Sequence, residues 1–314
     1  MTRARLGAVF ILAVAACGGG GSNNDTTGGD DGPGPGSDAD VPDAPPPPPG
    51  FTNLISRSWD IPPGATNVYK CVRIKTTTDM WISAFHADTP PGSHHSVVTI
   101  STNSTQVGEY DCSAGSLDNE MLYAAGVGTD DLLFPTGVAI HIPSGTFINL
   151  NLHLFNATDN PLSGTTGVSV KLVDQATVQN EADMMFSGTF VINIPSDNQL
   201  HTAQGSCTAP TDWHIFTLWP HMHQTATHQK WTYTPKGGQA ITMLDDDYSF
   251  FEQKNYPIAD TLIKQGDTIT TVCSYVNNTG TTMTFGDGSD KEMCFTGMYK
   301  YPAGGDLFQC AKPF

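Results

Sequence analysis

The run Ile148-Asn149-Leu150-Asn151-Leu152-His153-Leu154 alternates apolar and polar residues without a break. In an extended chain, side chains two apart share a face, so this is the signature of a strand with one buried side. Ile148, Leu150, Leu152 and Leu154 face a core, and Asn149, Asn151 and His153 face away from it. Helical periodicity is absent over any long stretch. Charged residues make up only 14% of the chain, too few for long salt-bridged helices or a coiled coil. Short segments rich in Val, Ile, Thr and aromatics recur between clusters of Gly, Pro, Asn and Asp. They include Val68–Lys75, Met80–Phe85, Ser96–Ile100, Phe147–Phe155, Val168–Val173, His214–Trp219, Thr268–Val276 and Met283–Phe285. The predicted fold class is all-β. With 314 residues, at roughly 100–200 per domain, it predicts two tandem antiparallel β-sandwich domains of jelly-roll type.

The first fifty residues stand outside that pattern. Arg3 and Arg5 precede an apolar run, Leu6 to Ala16, of signal-peptide length and too short to span a membrane. The run ends Val14-Ala15-Ala16-Cys17, which resembles the lipobox of bacterial lipoproteins. That resemblance implies a signal peptide over 1–16, cleavage before Cys17 and lipidation of Cys17. Gly18 follows where an aspartate would signal inner-membrane retention, so the expected location is the bacterial cell envelope, lipid-anchored in the outer membrane. From Gly18 to Gly50 there are ten Gly, eight Pro and six Asp, with no Lys or Arg. Such a segment buries too little apolar surface to offset ordering entropy, and 17–50 reads as a disordered tether.

The chain carries 31 Asp+Glu against 14 Lys+Arg. With the six aspartates and two arginines of 1–50 set aside, 51–314 keeps 25 acids and 12 bases. This balance argues against a nucleic-acid partner, because such affinity rests on Lys and Arg neutralising phosphates. Six cysteines remain after Cys17: Cys71, Cys112, Cys207, Cys273, Cys294 and Cys310. An exported chain permits disulfides, and the even count fits three, with fifteen pairings open. A domain boundary near residue 177 leaves an even number on each side. No C-x-x-C pair occurs, which disfavours a zinc ribbon or a thioredoxin-like site.

Three histidine groups carry chemical information. His94-His95 follows the turn Thr89-Pro90-Pro91-Gly92-Ser93; His153 stands on its alternating strand; His221-Met222-His223 follows Trp219-Pro220. Two apart in an extended segment, His221 and His223 can share one metal. Adjacent His94 and His95 would point to opposite faces of a regular strand, so sharing a metal requires a bulge or different ring nitrogens. Imidazole suits Cu, Zn, Fe and Ni, and a thioether adds preference for Cu(I).

In order and in flanking residues, these groups resemble the copper type II, ascorbate-dependent monooxygenases, which include peptidylglycine α-hydroxylating monooxygenase and dopamine β-monooxygenase. The resemblance covers essentially 51–314. It rests on Ser93-His94-His95-Ser96, on Leu152-His153-Leu154-Phe155 before Gly167-Val168-Ser169-Val170, and on Pro220-His221-Met222-His223. It rests further on Glu292-Met293-Cys294 before Met298-Tyr299-Lys300-Tyr301-Pro302, and on Val68-Tyr69-Lys70-Cys71. The resemblance implies two monooxygenase β-sandwich domains, 51–177 and 178–314, each with a mononuclear copper. His94, His95 and His153 would hold the electron-transfer copper. His221, His223 and Met293 would form the catalytic site that meets O2 and substrate. Ascorbate or another one-electron donor would be the co-substrate, and the reaction would be hydroxylation of an activated C–H bond. The implied bridges are Cys71–Cys112, Cys207–Cys310 and Cys273–Cys294. Tyr69 and Asn151 are candidates for supporting the ligands from behind.

The chain departs from the peptidylglycine enzymes where those hold the substrate carboxylate. Their arginine, two residues before His-x-His, is Trp219 here; their asparagine and tyrosine after Met-Cys are Phe295 and Gly297. A ring and a glycine cannot replace a guanidinium's paired hydrogen bonds. Trp219, Phe295 and Gly297 are therefore substrate-pocket candidates, and the chain is expected not to amidate peptide C-termini. The substrate itself, small molecule or peptide, is left open, with a less polar one favoured. His86, His141, His201, His214 and His228 read as structural or surface residues, the last two also as supporting groups. Asp245-Asp246-Asp247 lacks the alternating oxygen ligands of an EF-hand and reads as a solvated turn. Alternatives to the oxygenase are a non-enzymatic copper-binding lipoprotein for storage, sensing or electron transfer, and a metal-free carbohydrate- or peptide-binding relative. A zinc hydrolase is the weaker reading, since no H-E-x-x-H occurs and Met293 would have no role.

Overall fold

A computed structural model of the protein describes residues 46–311, apart from 66, 116–119, 127, 251 and 289. The signal peptide, Cys17 and most of the tether lie outside the described residues, which all fall in one compact unit, Asp40–Phe314. The chain is all-β. Its first half contributes β1 (Thr52–Ile61), β2 (Val68–Lys75), β3 (Met80–Asp88), β4 (Ser93–Ile100), β5 (Gly108–Asp111), β6 (Glu120–Gly126), β7 (Leu132–Leu133), β8 (Val138–Ile142), β9 (Phe147–Leu154), β10 (Leu162–Leu172) and β11 (Asn180–Glu181). Its second half contributes β12 (Asp183–Thr189), β13 (Asn193–Ile194), β14 (Leu200–Thr208), β15 (Trp213–His221), β16 (Ala226–Thr234), β17 (Ile241–Asp247), β18 (Tyr256–Ile263), β19 (Thr268–Val276), β20 (Met283–Thr284) and β21 (Cys294–Tyr301).

In the first half, a sheet ordered β1-β10-β3-β8-β11, with β7 also on β3, lies over a sheet ordered β5-β2-β9-β4-β6. In the second half, β12-β21-β15-β18 lies over β14-β19-β16-β17, and β13 pairs with β20. Among the described residues the ladders between these strands are antiparallel except the short β11·β8 one, and two isolated bridges, Ser187 with Cys310 and Phe285 with Glu292, are parallel. Face-to-face sheets of this kind bury alternate residues of both, which is why short alternating segments suffice. The change of sheet between halves falls after β11, between Glu181 and Asp183.

One expectation needed adjustment. The strand expected from Val168 begins six residues earlier, at Leu162. Its glycines had hidden it. A Cβ at Gly164 would lie 2.9 Å from the Trp59 ring, whose indole N–H donates to Thr166. The polar face of β9, which points away from that strand's apolar core, is itself buried: Asn149, Asn151 and His153 are 0–2% exposed. Tyr110 donates to the Asn149 oxygen, Asn151 donates to the Ser113 carbonyl, and Tyr69 stacks flat on His153 at 4.5 Å.

The halves share one hydrophobic core. Phe186, Phe216, Trp219, Phe295 and Tyr299 of the second half pack with the apolar residues of the first. Phe134 meets Phe216 at 5.0 Å, and the Tyr299 hydroxyl donates to the Leu122 carbonyl.

Candidate metal centre

The first cluster is made by a bulge. Along the β4·β9 ladder Ser93 pairs with Leu154 and His95 with His153, so the register slips at His94. The extra residue rotates His94 and His95 toward a common side, which a regular strand forbids. One ligand atom each from His94, His95 and His153 then lie within 4.8 Å of one another, and the two Nδ1 atoms of His94 and His95 are 3.0 Å apart. Nitrogen donors about 2.0 Å from one metal are themselves roughly 3–4 Å apart, so the spacing suits a shared ion. His153 is 2% exposed, and neither of its ring nitrogens meets a hydrogen-bond partner among the described residues. A buried polar atom left this way costs free energy unless something binds it. The donor set therefore fits copper.

The second group sits at the end of β15 and just before β21. His221 and His223 turn to one side, their rings 5.4 Å apart and near perpendicular, while Met222 between them is buried in a separate core with Cys273 and Tyr275. The ring orientations are fixed from behind. His221 Nδ1–H donates to the Gln253 side-chain oxygen at 3.0 Å, and His223 Nδ1–H donates to the Lys291 carbonyl at 3.0 Å. Since each partner only accepts, both histidines keep a lone pair on Nε2. The Tyr248 hydroxyl accepts from Met222 N–H and donates to its carbonyl. The buried Glu292 carboxylate accepts from the backbone N–H of His223, Thr225 and Met293 and from the Thr225 hydroxyl. Tyr275 donates to the Met293 carbonyl. The Cys273–Cys294 bridge pins the start of β21 beside Met293.

Both groups open on one cavity of 330 Å³, lined by His95 from the first and by His221, His223 and Met293 from the second. Phe250 lies between them, 4.5 Å from His94 and 6.2 Å from His223. Burial, reinforced by neighbouring histidines, lowers the pKa of His94 to about 4 and of His153 and His221 to about 3, and shifts His95 the same way; burial also lowers that of His223, against the Lys291 carbonyl and the Asp287 and Asp290 charges. All five imidazoles are neutral at pH 7, the form that binds metal.

Tyr69 and Asn151 line the cavity as well. Burial, with Asp290 and Asp287 adding to it, pushes the Tyr69 hydroxyl up to about 12. Trp219 lines the cavity and stacks on His221 at 4.8 Å, and Phe295 lies opposite His221 in the β15·β21 ladder. Gly297 is not among the residues lining this cavity. It pairs with Trp219 across the ladder, and a side chain there would collide with Met184 and crowd the Trp219 ring, so its role is to seat that ring. Sequence reasoning missed Gln253, Phe250 and the Phe186, Phe190 and Phe308 walls. No local pattern marks them, because they reach the site from distant turns and strands.

The other histidines each meet an aspartate: His86 with Asp131, His141 with Asp79, His201 with Asp197, His214 with Asp260, and His228 with Asp245 and Asp247. None of them lines the cavity. Asp245 and Asp247 are accounted for by that pairing on the β16·β17 edge. The three disulfides join Cys71 to Cys112, Cys207 to Cys310 and Cys273 to Cys294, the pairs that the resemblance implies.

Residues 180–313 match the family model for the copper type II ascorbate-dependent monooxygenase, C-terminal domain. The match covers 134 residues, fewer than half of the 314. The matched monooxygenase domain contains His221, His223 and Met293; His94, His95 and His153 lie before it. No curated protein matches the chain. Among solved structures, a protein from Eubacterium rectale is similar at 8% identity and TM-score 0.24, covering 81% of this chain and 71% of that one. The infectious bursal disease virus VP2 subviral particle is similar at 8% identity and TM-score 0.20, covering 84% and 76%. Latent PorU from Porphyromonas gingivalis gives 8% identity and TM-score 0.19, covering 76% and 24%. At such TM-scores these likenesses carry no argument.

Proposed function

We propose that the protein is a copper-dependent monooxygenase with two mononuclear sites. It would hydroxylate an activated C–H bond using O2 and electrons from ascorbate or another one-electron donor. The observation that carries this reading is the pair of neutral ligand groups, His94/His95/His153 and His221/His223/Met293, opening on one cavity. Bound copper would supply one-electron redox chemistry and activation of dioxygen, with the softer thioether site favouring Cu(I). The chain's own residues do the rest. Gln253 and the Lys291 carbonyl hold the Nε2 lone pairs of His221 and His223 toward the cavity. Tyr69 fixes the plane of the His153 ring. Glu292 ties the His-Met-His turn to Met293, so these ligands move together or not at all. The aromatic lining keeps bulk water from the reacting carbon.

We further propose that the chain is exported and anchored in the bacterial outer membrane through Cys17; three disulfides suit an oxidising compartment. No nucleic-acid partner is proposed, given the acidic balance of 51–314.

The test is copper retained per chain after loading and dialysis. The intact protein should hold near two; His94→Ala should fall toward one, and Met293→Ala should change Cu(I) affinity. No retained copper, or a stoichiometry indifferent to both substitutions, refutes the proposal and favours a non-enzymatic binding protein.

A further inference from the structure

The walls of the 330 Å³ cavity say more about its occupant than its ligands do. Five phenylalanines from separated parts of the chain meet there: Phe186 in β12, Phe190 just after it, Phe285 beyond β20, Phe295 in β21 and Phe308 near the C-terminus. They touch in a continuous set. Phe190 meets Phe285 at 4.9 Å, Phe295 at 5.0 Å and Phe308 at 5.4 Å, and Phe186 meets Phe308 at 5.3 Å. Trp219 completes the wall beside His221. No Lys or Arg lines the cavity among the described residues, and its one carboxylate, Asp287, is exposed.

We propose that this site takes small, electrically neutral, apolar substrates of about one substituted benzene ring. The assignment rests on the oxygenase reading of the same cavity. Size sets the upper bound: 330 Å³ is at the low end of the roughly 300–1,000 Å³ usual for ligand pockets, and an apolar cavity of about 150 Å³ already takes benzene. Chemistry sets the charge. A carboxylate entering this cavity would lose its hydration and find no Lys or Arg side chain to pair with, Trp219 standing where a guanidinium would be needed. An ammonium would meet one carboxylate, Asp287, which is exposed and so screened by water. Recognition of cations by aromatic groups needs ring faces gathered around one point. Here Phe190 meets Phe285 and Phe295 at 70° and 67°, turned toward each other's edges. The reaction balances as R–H plus O2, two electrons and two protons giving R–OH and water, the electrons coming from ascorbate.

Three probes of one shape separate these cases: ethylbenzene, protonated phenethylamine and 3-phenylpropionate. Binding to the copper-loaded protein is measured by calorimetry under argon without reductant, so no turnover intervenes. Ethylbenzene should bind at least tenfold more tightly than either charged probe. Phe308→Ala should weaken it at least threefold with copper per chain unchanged; at 37% exposure, this residue can be shortened without disturbing the core. Equal or tighter binding of the ammonium or the carboxylate, or no binding of ethylbenzene to protein that holds its copper, overturns the assignment. Ethylbenzene binding to a protein that retains no copper upholds the neutral-ligand assignment and removes the oxygenase reading instead.

Discussion

Gln253 is 1% exposed and touches both halves of the molecule. Its side chain accepts from His221, and its backbone carbonyl accepts from the Thr129 hydroxyl at 2.7 Å and from Gly126 N–H, Gly126 being the ladder partner of His95. A partner behind a metal-binding imidazole typically changes metal affinity roughly 10–100-fold. Gln253→Ala should therefore weaken Cu(I) binding at the His221/His223/Met293 site by about tenfold or more, read by competition with a Cu(I) chelator. Unchanged affinity would show that packing alone orients His221. Glu292 poses a stability question. Burial raises its pKa while four donors oppose the shift, and removing the carboxylate strands the N–H groups of His223 and Thr225. Glu292→Ala should lower unfolding free energy by about 3 kcal/mol in urea titration, with Glu292→Gln recovering part of it. A loss under about 1 kcal/mol would mean that water replaces the carboxylate.

At the level of elements, the ligands are held by ladders and staples. Strand β21 is buried along nearly its whole length, between β12 and β15. Met293 precedes it directly, and the Cys273–Cys294 bridge ties that end to β19. The bridge closes a loop of 21 residues in sequence separation. Replacing both cysteines with serine should cost about 3 kcal/mol and loosen Met293 relative to His221. The expected readout is a lowered Tm together with a larger loss of Cu(I) affinity than any change at the His94 site. Equal losses at both sites would place the effect in global unfolding. Close backbone approach braces the same region: a side chain at Gly205 in β14 would run into the Gly188 carbonyl in β12. The bulge at His94 is the other decisive element, and its need was legible from the adjacency of two histidines, although its place in the β4·β9 ladder was not.

The whole molecule brings five neutral histidines into one buried region, which links stability to pH. In the unfolded chain they titrate near 6.5, whereas in the copper-free fold His94, His153 and His221 are depressed to about 3–4. Below pH 6.5 the unfolded state therefore binds more protons than the folded one, so their contribution is full above 6.5 and declines as pH falls toward those folded values. The Tm of copper-free protein should drop between pH 6.5 and 5, before carboxylates titrate, and His153→Phe should flatten that slope. A Tm that rises over this interval would contradict the buried-neutral assignment.

By itself, the sequence determined the all-β class, because alternation at 148–154 and short turn-bounded segments are local consequences of the strand period. It also carried the two histidine groups and Met293, since His-x-His and Glu-Met-Cys are contiguous motifs. What it could not carry was whatever depends on residues distant in the chain arriving together. The polar face of β9 reads as turned away from that strand's apolar core, but only the packing of Tyr69 and Tyr110 shows that it is buried as well. Gly297 reads as a substrate position, yet cross-strand pairing gives its space to Trp219. Gln253 and the five-phenylalanine wall have no motif, and their position follows only from the turns and ladders that close the cavity. Local periodicity fixes which way a side chain points; tertiary packing alone decides what it meets there.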